Sequence, residues 1–214
     1  MKLKVLLASA SAALLTACGS VNVTTYADQQ PALDLPTFFN GEMDAWGIFQ
    51  KRNGELVRRF HVEIFASWET PDRGVLDEYF TYADGEKQRR VWTLTRQPDG
   101  SWHGTADDVV GHAVGKVAGN ALHWKYTLQL PVDGKVYDVQ FDDWMWLMDE
   151  NTMMNRSTMS KFGFRLGEVS LFFKKRDGTG TDSTATDSTA TDSTATDSTA
   201  TDSIATDGTK PQGS

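Results

Sequence analysis

Apolar and polar residues alternate through the middle of this chain, run after run, and that period of two restricts the fold more than any other feature. In 121–130 (ALHWKYTLQL), Leu122, Trp124, Tyr126, Leu128 and Leu130 fall on one side, and His123, Lys125, Thr127 and Gln129 on the other. In 58–68 (RRFHVEIFASW), Phe60, Val62, Ile64, Ala66 and Trp68 share a side, opposite Arg59, His61 and Glu63. Leu76, Phe80 and Tyr82 repeat the pattern, as do Trp92 with Leu94, and Val169 with Leu171 and Phe173. Successive side chains of an extended strand point to opposite faces, so each run reads as a strand with one apolar face. No stretch carries a helical stripe.

Turn signals separate these runs at hairpin distance: Asn53-Gly54, Asp84-Gly85, Asp99-Gly100, Gly119-Asn120 and Asp133-Gly134. Such pairs supply the positive φ that tight hairpins require. About ten strands joined by short turns must close or stack to hide their edges. The expectation is an all-β domain over 37–177, built as an antiparallel up-and-down barrel of lipocalin-like type, with a β-sandwich as the alternative. A transmembrane barrel fits less well, because His61, Glu63 and Lys125 interrupt the second face.

The two ends differ from this middle. Residues 1–17 combine Lys2 and Lys4, an apolar run over 5–15, and Leu15-Thr16-Ala17 ahead of Cys18. A basic start, a short apolar core and small residues before the cut describe a secretory signal. The run is shorter than the roughly 20 residues a spanning helix needs. The segment resembles the signal peptide and lipobox of bacterial lipoproteins, which implies lipidation of Cys18, the only cysteine in the chain. Acyl chains on that residue would anchor the protein in a membrane. Gly19 rather than aspartate after the cysteine implies the periplasmic side of the outer membrane. Residues 18–36 hold two prolines and read as a lipidated tether. Residues 178–214 repeat TDSTA four times and contain no aromatic residue; they read as a disordered acidic tail. The formal charge is −8, and with much of the acidity in that tail the balance argues against nucleic acid as a partner.

The strings QRRVWTLT, GTADDVVG, GNALHWKYTLQLPVDG, VQFDDWMWLMD and NRSTMSKFGFRLGEVSLFFKK resemble the DUF3833 family of proteobacterial lipoproteins, over residues 37–176. The resemblance implies one domain, a lipocalin-like barrel and a bacterial envelope setting. It carries over no catalytic residue.

Motifs for chemistry are sparse. There is no Gly-x-Ser-x-Gly elbow and no His-Glu-x-x-His. Gly111 to Lys116 is one residue short of a phosphate loop and is followed by Val117. The four histidines are scattered, whereas a structural metal site wants clustered ligands. Met145, Met148, Met153, Met154 and Met159 crowd together without a histidine or cysteine, which reads as adaptable apolar lining rather than a copper site. No cofactor is expected.

The informative stretch is 139–150 (VQFDDWMWLMDE). Alternation sends Asp142 and Asp143 to opposite faces, so they form no carboxylate dyad without a bulge. Asp143 follows Val139, Phe141 and Met145 inward, where an unpaired charge is costly. It is therefore expected to meet a cation, with Arg90, Arg156 and Lys161 as candidates. One reading is an ion-pair network that fixes the fold. The other is a pocket for a lipidic or otherwise amphipathic small molecule, with Trp92, Trp144, Met145 and Trp146 as apolar wall and Arg90, Asp143, Arg156 and Lys161 as polar grip. Three functions stay open: a carrier of that kind, a solid barrel that docks an envelope partner through an aromatic patch at Trp46, Trp68 or Trp102, and an enzyme on a lipid-like substrate.

Overall fold

The computed structural model describes residues 20–176. The segment read as a signal peptide, Cys18 and the TDSTA tail lie outside the described residues. Ten antiparallel strands follow in chain order: β1 (Gly41–Lys51), β2 (Leu56–Thr70), β3 (Arg73–Tyr82), β4 (Lys87–Arg96), β5 (Trp102–Thr105), β6 (Ala113–Ala118), β7 (Ala121–Val132), β8 (Lys135–Leu147), β9 (Thr152–Lys161) and β10 (Phe164–Lys175). Each strand pairs with its neighbours in sequence, and β1 pairs with β10 as well as β2, closing a barrel. The closure runs from Met43 opposite Lys175 to Lys51 opposite Gly167. The sandwich alternative is thereby set aside.

The alternation reads directly as inside and outside. Val62, Ile64 and Ala66 are buried on β2, Leu122, Trp124 and Leu128 on β7, and Val139, Phe141, Asp143 and Leu147 on β8. Gly54, Gly85, Gly100, Gly119 and Gly134 all have positive φ, with Asp133 beside Gly134 also at φ 49°. A further tight turn, Phe162-Gly163 between β9 and β10, has the same geometry. Its Phe-Gly sequence carries no ordinary turn signal.

Two glycines shape the interior. Gly47 faces Phe60 across the β1–β2 ladder, and Gly115 faces Trp124 across β6–β7. A Cβ at either position would overlap the facing ring. Without it, each ring lies against the wall instead of standing into the lumen.

Residues 20–36, expected as a loose tether, fold onto the barrel instead. A 3-10 turn (Val23–Tyr26) and a short helix α1 (Leu35–Phe38) bury Val23, Leu33, Leu35 and Phe38, followed by Phe39. Asp34 caps α1, its carboxylate accepting from the Thr37 N–H at 3.1 Å. The Leu33 N–H donates to the Gly119 carbonyl at 2.8 Å, and the Trp68 indole N–H donates to the Phe39 carbonyl. Leu33, Leu35, Phe38 and Phe39 join the core cluster that includes Val62, Ile64 and Phe173. The few apolar residues among the polar ones thus plug the barrel end where β1 begins and β10 finishes. Arg176 fastens the same end, donating to Asp44 at 2.8 Å and to Glu63 at 2.9 Å.

Candidate functional site

The interior is hollow. A cavity of about 1100 Å³ runs along the barrel axis, just above the roughly 300–1,000 Å³ typical of small-molecule sites. Leu35, Phe39 and Phe173 form its floor at the plugged end. Val57, Arg58, Glu86, Lys87, Val132, Lys161 and Leu166, which flank four hairpins, line its mouth at the other. Most of the wall between is apolar, including Phe49, Leu128, Val139, Phe141, Met159 and Val169.

A polar cluster interrupts that wall at mid-depth. Arg90, inward on β4 with Trp92, makes a bidentate pair with Asp108, its Nε at 3.0 and 3.1 Å and its Nη2 at 2.7 Å from the carboxylate oxygens. Asp108 belongs to the loop between β5 and β6. Glu78 stands opposite Arg90 across the β3–β4 ladder and lines the cavity with Asp108 and Asp143. Asp143 is only 4% exposed. Its Oδ2 accepts from the Tyr126 hydroxyl at 3.1 Å, and its Oδ1 accepts from the Ser157 hydroxyl.

The expected cation partner of Asp143 is therefore replaced by two hydroxyl donors. Arg90 is taken by Asp108, which sits in an irregular loop where alternation has no power. Arg156 and Lys161 do not fill the role either. Arg156 lies on the outer face and pairs with Glu168 at 2.8 Å. Lys161 stands at the mouth over the Tyr137 ring, 4.1 Å from its centroid. Trp144 and Trp146 also lie on the outer face and not on the cavity wall. Trp144 stacks on His123 at 4.1 Å, and both indoles pack on Tyr26. Asp142 points outward as expected, to His123 at 2.8 Å and Lys125 at 3.0 Å. Of the eight candidates, the cavity brings together Arg90, Trp92, Asp143, Met145 and Lys161. Glu78, Tyr126, Ser157 and Asp108 complete the cluster. The methionines split between faces: Met153 and Met159 are buried, whereas Met148 and Met154 are exposed. Of the aromatic patch foreseen for a solid barrel, Trp46 is exposed, but Trp102 is buried.

Burial pushes the Asp143 carboxyl up to about 7, against the pull of the Ser157 and Tyr126 hydroxyls. Burial likewise pushes Glu78 up to about 7, with Arg90 opposing. Raised carboxyl groups hold protons in the folded state that the unfolded chain has already lost, so between about pH 4 and 7 stability falls as pH rises. Other carboxylates act lower down. The Arg176 hydrogen bond holds Asp44 below the usual range, and the Arg89 hydrogen bond does the same for Asp77. Their contribution is present above the unfolded value and lost as pH drops through the folded one. The expected profile is a urea midpoint that climbs from pH 8 to about pH 5 and collapses below about pH 4. In Asp143→Asn the climb becomes shallower, and the variant is more stable than the parent at pH 8. A flat wild-type profile between pH 5 and 8 would contradict this account.

A closed antiparallel barrel, plugged at one end and hollow to the other, defines a lipocalin-like barrel protein. The chain belongs to the DUF3833 family, a family of proteins of unknown function, whose model matches residues 12–175. No curated protein matches it in sequence. Among solved structures, the S-type phycobiliprotein lyase from Guillardia theta is similar at 11% identity and a TM-score of 0.51, covering 68% of this chain and 93% of the lyase. Lobster apocrustacyanin A1 aligns at 14% identity and a TM-score of 0.37, over 74% of this chain and 71% of its own. A de novo designed fluorescence-activating beta barrel aligns at 12% identity and a TM-score of 0.37, over 67% of this chain and 99% of the design. At these identities the likeness is one of fold.

Proposed function

We propose that this protein binds an amphipathic, lipid-like small molecule inside its barrel and holds it at the bacterial envelope. One observation carries the reading: an axial cavity of about 1100 Å³ with apolar walls and a single band of polar groups. Apolar walls with a few convergent polar groups are the usual make-up of a small-molecule site. The fold is shared with a phycobiliprotein lyase. That is in keeping with a barrel used as a container.

The full-length protein is expected to enhance the emission of the neutral probe N-phenyl-1-naphthylamine, with saturation at one probe per chain. Leu130→Trp, which places an indole in the upper cavity, should weaken the probe at least tenfold while near-ultraviolet circular dichroism stays native. A folded protein that leaves the probe dark would overturn the reading.

The envelope setting is part of the proposal and is supported by the basic start, apolar run and Leu15-Thr16-Ala17-Cys18 sequence. Metabolic labelling with palmitate should tag the protein and fail for Cys18→Ser. Labelling that survives the substitution would remove the anchor.

A further inference from the structure

The chemistry of the polar band narrows the ligand, on the premise that the cavity is a binding site. Its four inner charged groups are Glu78, Arg90, Asp108 and Asp143. That is three carboxyls against one guanidinium. The guanidinium offers little to a guest, because its Nε and Nη2 already bond the Asp108 carboxylate at 2.7–3.1 Å. Among the described residues, Glu78 and Asp143 form no ion pair. Asp143 has only the neutral hydroxyls of Tyr126 and Ser157 as partners. A carboxylate or phosphate head placed here would face two acidic groups and a guanidinium already committed to Asp108.

Aromatic rings line the cavity around the same band. Trp92 meets Tyr126 edge-on at 5.4 Å, and Tyr126 stacks on Phe141 at 5.1 Å. All three line the cavity. The negative faces of such rings attract organic cations, and aromatic boxes are the recurring receptor for ammonium groups. Above and below the band the wall returns to aliphatic and aromatic residues, which would hold the apolar part of a guest.

We infer that the barrel selects an amphiphile with a cationic nitrogen, an alkylammonium-type ligand, whose charge sits between Glu78 and Asp143 against Trp92 and Tyr126. Selection then depends on pH, because both acids titrate near neutrality. Glu78 faces Arg90, Asp108 and, through the wall, Asp77. Asp143 faces Tyr126, Ser157, Arg90 and, on the outer side, Asp142. Acidification neutralises the two free carboxyls, leaving a band that no longer favours a cation.

The test is displacement of N-phenyl-1-naphthylamine from the full-length protein by dodecylammonium, dodecanoate and uncharged dodecanol. At pH 8, dodecylammonium should displace the probe at a concentration at least tenfold below that needed of dodecanoate. At pH 5.5 that preference should shrink to under threefold. Glu78→Gln should reduce it at pH 8, and Glu78→Gln with Asp143→Asn should abolish it, dodecanol being unaffected in both. The single variant suffices if the double one does not fold. Equal or tighter binding of dodecanoate at pH 8, with dodecanol also bound, overturns the cationic selection and leaves the cavity reading standing. Failure of the probe and of all three amphiphiles to bind the folded protein sinks the cavity reading itself.

Discussion

Replacing Arg90 with methionine costs the folded barrel about 3 kcal/mol in urea unfolding at pH 7.5, near the lower end of the range for one partner removed from a buried ion pair. Arg90 is 13% exposed and Asp108 24%, so some solvent reaches the carboxylate left behind. The loss comes less from the missing attraction than from what remains: Asp108 without its bidentate donor, and Glu78 without the nearby positive charge that opposes its protonation. Two consequences follow. Arg90→Met paired with Asp108→Leu should recover more than half of the loss, since the orphaned carboxylate is gone. The single variant should also be less impaired at pH 5.5 than at pH 8, because Glu78 can then take a proton. A loss under 1 kcal/mol at pH 7.5 would mean that the pair is dispensable to the fold.

Phe38→Ala should be costlier still, by about 3–5 kcal/mol, or roughly 10 °C in melting temperature for a domain of this size. Phe38 is 2% exposed, and its ring meets Phe39 edge-on at 5.0 Å; Phe39 in turn meets Phe173 at 6.1 Å. The plug is short, and a four-residue helix has little stability of its own. It is held in place by buried apolar surface, each such side chain contributing about 1.5–3 kcal/mol, and by the bond from Trp68 to the Phe39 carbonyl. Removing one ring leaves a void that the strands cannot collapse into, since their positions are set by a closed ladder. A loss below 1 kcal/mol on thermal melting would show that the segment only rests on the barrel.

Much of this was legible in the sequence. The facing of β2, β7 and β8 follows from alternation alone, and so does the burial of Asp143. Glu78 could have been found in the same way. It lies two residues from both Leu76 and Phe80, so period two carries it inward with them. Ser157, between Asn155 and Met159 on one face of β9, obeys the same rule. The pairing of Asp108 with Arg90 was beyond reach, because it is made from a loop with no period. Closure was expected but not demonstrable: the β1–β10 ladder joins residues over a hundred positions apart, and nothing local encodes it. Trp144 and Trp146 misled by composition. Large aromatics suggest a pocket wall, yet here they shelter under Tyr26 and against His123 on the outside. The plug was missed because five apolar residues were spread among polar ones and prolines.

The plug also sets a polarity for the whole molecule. The described chain begins at the stopped pole, and the opening lies at the other, one barrel height away. Strands of 12 or 13 residues, at about 3.3 Å per residue and tilted by about 40°, give a height of roughly 30 Å. A surface that gripped the chain at Cys18 would have the stopper nearest to it and the aperture farthest. With the proposed anchor at Cys18, cargo would enter and leave on the distal side, and the stopper would bar direct exchange with the anchoring layer.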